Sequence, residues 1–92
     1  MVSEFPATID AAVRLLKTMV DVDEQAKTAR MDEAELFHLH FGLGAWIRNN
    51  LGLYAGNDQL MRATEMTEPD DASMVVIRSF WVELRAGLPR MH

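Results

Sequence analysis

The sequence predicts an all-α protein, a compact bundle of four to five helices around a central buried helix at about 33–51, with residues 1–92 forming a single domain. Three observations predict it. Apolar residues recur at i, i+3, i+4 and i+7 in the segments 9–20, 36–51 and 74–84, as one face of a helix requires. No segment alternates with period two for long enough to form a strand. Helix-starting residues stand before each apolar run, and glycines stand after the second and third.

The first helix is expected after Pro6, with Thr8 as N-cap and Asp10 in the first turn, where a carboxylate meets the positive end of the macrodipole. Ile9, Ala12, Val13, Leu15, Leu16, Met19 and Val20 fill one broad face of it. Residues 21–31 are polar, with Val22 and Ala26 as weak anchors, and read as a short surface helix. Asp32-Glu33-Ala34-Glu35 reads as a capping box opening the central helix, which runs to Leu51 and stops at Gly52. Leu36, Leu39, His40, Leu43, Trp46, Ile47, Asn50 and Leu51 share its face at 100° per residue, flanked by Phe37 and Phe41 beside Arg48. His38, Gly42, Ala45 and Asn49 form the narrow opposite stripe. Gly42 and Gly44 each cost about 1 kcal/mol of helix propensity relative to Ala, so a close approach of a second backbone is expected there.

Asn57 is placed to cap a short helix carrying Leu60 and Met61. Thr67-Glu68-Pro69-Asp70-Asp71 announces the last helix, since proline and acids suit a first turn. Its main face holds Met74, Val76, Ile77, Phe80, Trp81 and Leu84, with Ser73 near the middle, and Gly87 and Pro89 end it. Val75, Val82 and Ala86 form a second, weaker stripe.

Composition narrows the function classes. A chain of 92 residues has material for one core and a thin margin beyond it, so a partner subunit would help. The net charge of -5, with Lys and Arg scattered, argues against nucleic acid, which needs clustered cations. The absence of cysteine removes disulfides, thiolate nucleophiles and thiolate metal sites. MVSEFPATID lacks the basic and apolar regions of a signal peptide, and no uncharged apolar run approaches ~18 residues. A cytoplasmic protein without membrane association is expected.

Three polar groups carry whatever chemistry there is. Glu35 and His38 have the E-x-x-H spacing of carboxylate-bridged metal sites, but the spacing occurs once and Glu35 already serves as a cap. No metal and no cofactor are therefore expected. His40, Arg48 and Asn50 lie in or beside the apolar face of the central helix. A buried amide or imidazole without a partner costs on the order of 1–3 kcal/mol, and an unpaired guanidinium more. These groups imply either an internal structural network or a pocket for an anionic or amide-bearing ligand. Asp70, Asp71 and Ser73 stand at the start of the last helix, where carboxylates cap and answer the dipole. Arg48, in the last turn of its own helix, is expected to pair with Asp70 or Asp71, with Asn50 and Ser73 completing the hydrogen bonds. No nucleophile elbow, phosphate loop, dinucleotide fingerprint or metalloprotease helix is present, so no catalytic residue is assigned.

The string HFGLGAWIRNNLGLYAGN, followed by PDDASMVVI, resembles a family of small, uncharacterised bacterial helical domains with an H-F-G-L-G-x-x-I-R-N-N-x-G-L-[WY] segment and a downstream P-D-D-x-S. The likeness runs from about Phe5 through Leu84 and implies that His40, Arg48, Asn49, Asn50, Asp70, Asp71 and Ser73 are the signature polar positions. Members often carry histidine where this chain has Glu68. The resemblance brings no activity with it.

The resulting expectation is a non-enzymatic protein-interaction module, an accessory, immunity-type or phage-related bacterial protein whose partner is a protein, itself or another, with a homodimer among the possibilities. The rival is a small-molecule-binding or catalytic domain using the Arg48/Asn50/Asp71 cluster. A cluster satisfied internally favours the first, and an open concavity with Arg48 unpaired favours the second.

Overall fold

Helix α1 (Ile9–Met19) starts where Thr8 Oγ1 accepts the Ala11 N–H at 3.0 Å, so the expected N-cap is in place. The computed structural model describes residues 5–87. Helix α2 (Val22–Ala29) follows after Val20, and Gln25 turns back so that its Nε2 donates to the Lys17 and Val20 carbonyls, satisfying the free end of α1. Val22 is no anchor: as the first helical residue it points outward and is exposed, while Thr28 and Ala29 supply the buried side.

The segment expected as one central helix is three. A 3₁₀ stretch (Glu33–Leu39) passes into a π-helical stretch (His40–Gly44) and then into α3 (Ala45–Asn50). The cap at its start holds, with the Asp32 N–H donating to Glu35 Oε1 at 2.8 Å. The two glycines explain where the regular spiral gives way, since neither holds an α conformation strongly. A tight spiral followed by a wide one rotates the faces away from the straight-helix projection. Leu36, Ile47, Arg48 and Leu51 stay buried, but Phe37 and Phe41 turn out to solvent, and so does Asn50.

Gly52, at φ +79°, reverses the chain, and the Phe5 ring lies where a Cβ would stand, so only glycine fits. Helix α4 (Asp58–Thr64) is capped by Asn57 as expected, with Oδ1 accepting the Leu60 N–H at 3.3 Å. Helix α5 (Pro69–Ala86) has proline in its first turn and closes at Gly87; Pro89 lies outside the described residues.

Helix α5 touches every other element, from α1 to α4 and both irregular stretches. Its Ala72, Val76, Ile77 and Phe80 are fully buried against Ala12, Val13 and Leu16 of α1 and Leu36, Ile47, Leu51 and Leu60. The bundle is all-α, as predicted, with α5 as the element common to its contacts. At its far end Trp81 Nε1 donates to the Met31 carbonyl at 2.8 Å, and Arg85, lying over the Trp81 ring, donates to the Ala29 and Met31 carbonyls. The Ala29 carbonyl is one that the end of α2 leaves without a helical partner, and Met31 lies in the turn just beyond it. Among the described residues no helix is long and apolar enough to cross a membrane.

Candidate functional site

The wide turn of the π stretch brings the backbone at His40 over the side chain of Arg48, eight residues on. Arg48 Nη2 donates to the His40 carbonyl at 3.3 Å, and Nη1 donates to Ser73 Oγ at 3.0 Å. Arg48 Nε stands 3.3 Å from Asp70 Oδ1, an ion-pair distance, but its N–H is not aimed at that oxygen. The contact is therefore electrostatic rather than a hydrogen bond. The Arg48 side chain is 9% exposed and that of Asp70 is 60% exposed, so one partner is buried and the other remains hydrated. Gly44 makes the room: a Cβ there would sit 3.0 Å from Arg48 Nη1 and 3.6 Å from Ile77.

Ser73 is fully buried, and its hydroxyl both accepts from Arg48 and donates its proton to the Asp70 carbonyl at 2.8 Å. With its only proton held by a carbonyl and its oxygen accepting from Arg48, the Ser73 hydroxyl acts as a bracing group. His40 Nε2 lies 3.9 Å from Asp70 Oδ2, and its Nδ1 is buried with no hydrogen-bond partner. Placing the proton on Nε2, towards Asp70, leaves Nδ1 an unprotonated acceptor. The ring is stacked on Phe37 at 5.4 Å between centroids and meets Phe41 edge-on at 5.0 Å.

Four of the seven polar positions singled out in the sequence thus converge: His40, Arg48, Asp70 and Ser73. Three do not. Asn49 is exposed, as its place on the outer stripe implied. Asn50 is also exposed and bonds back to the Trp46 carbonyl of its own helix at 2.9 Å, because the shift in helix type carries it off the buried face. Asp71 is exposed and has no ion pair with Arg48; Asp70, one residue earlier, takes that role. The expected Arg48/Asn50/Asp71 cluster is therefore not formed. Glu35 is engaged as a cap and His38 is exposed, and among the described residues no three His, Asp or Glu side chains converge as a metal site would need.

Asn57, expected as a cap, has a second role that the sequence did not reveal. Asn57 Nδ2 donates to the Pro6 and Leu51 carbonyls, both at 2.8 Å, while Oδ1 caps α4. Its place within the GLYAGN run was a signal, since an asparagine following Gly56 and preceding a helix can serve both loop and cap.

The outer surface of the 3₁₀ and π stretches exposes two aromatic rings beside the polar Glu33, Glu35 and His38. Phe37 is 60% exposed and Phe41 78% exposed. Beside them a groove of about 440 Å³ runs between α1, α2 and the π stretch, walled by Met19, Val20, Leu39, Leu43 and Trp46, with the Gly42 backbone among them. Glu24 stands in its lining with Lys27 3.3 Å from the carboxylate. A second groove of about 410 Å³, between α1 and α5, carries Asp10, Arg78 and Glu83 as well as Val82 and Ala86 of the weaker stripe. Neither groove is lined by His40 or Arg48.

A protein-family model described as "Domain of unknown function (DUF6794)" matches residues 5–84. No curated protein and no solved structure matches the chain.

Proposed function

The chain belongs to the DUF6794 family, a domain of unknown function, and we propose that it is a non-enzymatic protein-interaction module whose contact face is the outer side of the 3₁₀ and π stretches. The observation that carries this reading is the exposure of Phe37 and Phe41 beside an apolar groove, on the one stretch of the bundle that departs from regular helix. Burying a large apolar side chain is worth roughly 1.5–3 kcal/mol, and leaving two in water forgoes most of that. Large exposed apolar patches mark interaction sites, and π-helical turns recur at functional positions.

The polar cluster favours the same reading. Ser73 and the two terminal nitrogens of Arg48 are satisfied within the chain, so these residues support the face from behind. A ligand-binding reading has one observation in its favour, the two buried nitrogens Arg48 Nε and His40 Nδ1 without hydrogen bonds. Neither of the two grooves described above reaches them. The setting that fits the acidic, cysteine-free composition is a cytoplasmic bacterial or phage-related accessory or immunity-type protein.

The test is a photoreactive amino acid placed at position 41 and illuminated in the source cell. A covalent protein adduct at position 41, with none from the same probe at Asn49, supports the interaction face. A chain that reaches no protein from position 41 overturns it.

A further inference from the structure

Phe37 and Phe41 flank the imidazole of His40, one stacked on it and the other edge-on, so the three rings form one patch. Carboxylates border it. Asp70 Oδ2 lies 3.9 Å from His40 Nε2, and Asp70 and Asp71 are both exposed. On the 3₁₀ stretch, three residues per turn set the exposed Glu35 and His38 in the row beside that of Phe37 and His40.

The charge around this patch is of one sign. Residues 31–47 and 63–77, the two segments that Asp70 joins, hold seven of the fourteen carboxylates and no Lys or Arg. The nine Lys and Arg all stand elsewhere, against the other seven carboxylates. Two of those cations reach the face: Arg48 is buried beneath it beside Asp70, and Arg78 pairs with Glu33. Among the described residues no ion pair reaches Glu35 or Asp71. Trp81, by contrast, has its own chain's Arg85 over the ring, 5.0 Å from the centroid.

We propose, building on the interaction-module reading, that the partner presents an arginine-bearing basic segment to this face. Its guanidinium planes lie on the Phe37 and Phe41 rings, and its further cations meet Asp71, Glu35 and the outer side of Asp70. Charge complementarity selects this occupant. An aromatic ring attracts a cation over its face, and a planar guanidinium stacks there better than a compact ammonium. The bordering carboxylates add steering, whereas an acidic partner, a second copy of this chain included, meets like charge at the same place. Because charge supplies part of the attraction, association weakens as salt rises.

The test is an NMR titration of the full ¹⁵N-labelled chain with an acetylated and amidated hexa-arginine peptide, at low and high salt, with the hexa-lysine peptide for comparison. Thermal melts of each variant run alongside. The expected result is shifts confined to residues 35–41 and the start of α5, tighter binding of hexa-arginine than of hexa-lysine, and affinity that falls with salt. Phe41→Ala removes a ring and no charge, and Asp71→Asn removes a charge and no ring; each should weaken binding about threefold. Asp23→Asn, which removes an exposed charge from α2, should leave it unchanged. Should one of the two face variants unfold, the other decides. Absence of binding, shifts scattered over all the carboxylates, indifference to Phe41→Ala, or equal losses from Asp23→Asn and Asp71→Asn overturn the proposal. Failure here is distinguishable from failure of the interaction face. If the peptide fails while position 41 cross-links to an uncharged or acidic segment of a protein, the basic occupant falls and the face stands.

Discussion

Arg48 Nη1 donates to Ser73 Oγ at 3.0 Å across 25 residues of sequence, joining the start of α5 to the segment that carries the exposed aromatics. The bond explains why a guanidinium stands in the most apolar stretch of the chain. Its planar fork reaches the His40 carbonyl, the Ser73 hydroxyl and the Asp70 carboxylate from one position, and so pins the π stretch to the first turn of α5. An ammonium on a flexible stem has no such fork. The brace holds the 3₁₀ and π stretches in register while Phe37 and Phe41 stay outside.

The two neighbouring aspartates should behave differently. Both favour the start of α5 through the macrodipole, but only Asp70 faces the buried guanidinium. Asp70→Ala leaves Arg48 without a counter-charge; because Asp70 is largely hydrated, the cost should be about 1–3 kcal/mol, below the full value for breaking a buried pair. Asp71→Ala should cost about 0.5 kcal/mol or less, as surface changes do. Urea unfolding of the two variants gives the comparison, and equal losses would mean that the pair with Arg48 contributes nothing.

Local signals were legible in the sequence because they act within a few residues. Thr8, the Asp32–Glu35 box, Asn57 and Pro69 sit where their helices begin, and each cap is decided by its nearest backbone groups. The Arg48 link to the start of α5 was legible from charge at helix ends. Which aspartate answers it, and where Asn50 points, depend on the rotation added by the π stretch, and a projection at 100° per residue cannot carry that. The position of α5 in contact with every other element rests on contacts between segments distant in sequence, and the meeting of Trp81 and Arg85 at the Met31 carbonyl spans 50 and 54 residues. No local pattern encodes them.

Asn57 should be the costliest of the asparagines. Its largely buried side chain serves two carbonyls and one N–H, so Asn57→Ala should destabilise by roughly 3 kcal/mol, from unsatisfied carbonyls and a lost cap together. Asn49→Ala and Asn50→Ala, on the exposed side, should each stay within about 0.5 kcal/mol. Thermal melts of the three variants show the ordering, and an Asn57→Ala chain as stable as the other two would contradict the buried geometry.

The two glycines of the π stretch should respond with opposite signs. Gly42→Ala adds a Cβ that meets open space and should stabilise the isolated chain by about 0.5–1 kcal/mol through backbone entropy. At Gly44 the same methyl presses on the Arg48 guanidinium and the Leu39 carbonyl, so Gly44→Ala should destabilise by about 1–2 kcal/mol. Melts at protein concentrations below about 1 μM, where self-association contributes little, read the intrachain effect. Two changes of the same sign would show that the space around these residues is not as described.

The most direct measurement is urea unfolding of Arg48→Ala and Arg48→Lys beside the parent chain, because the account rests on Arg48 being a brace and not a ligand contact. Alanine removes a nine-tenths buried side chain together with its bonds to Ser73 and His40, and should cost about 2–4 kcal/mol. Lysine keeps the charge and loses the fork, and should still cost about 1–2 kcal/mol. Both losses, at an unchanged m-value, are the predicted result. An Arg48→Ala chain that unfolds at the parent's midpoint would contradict the account and leave the guanidinium free for a ligand.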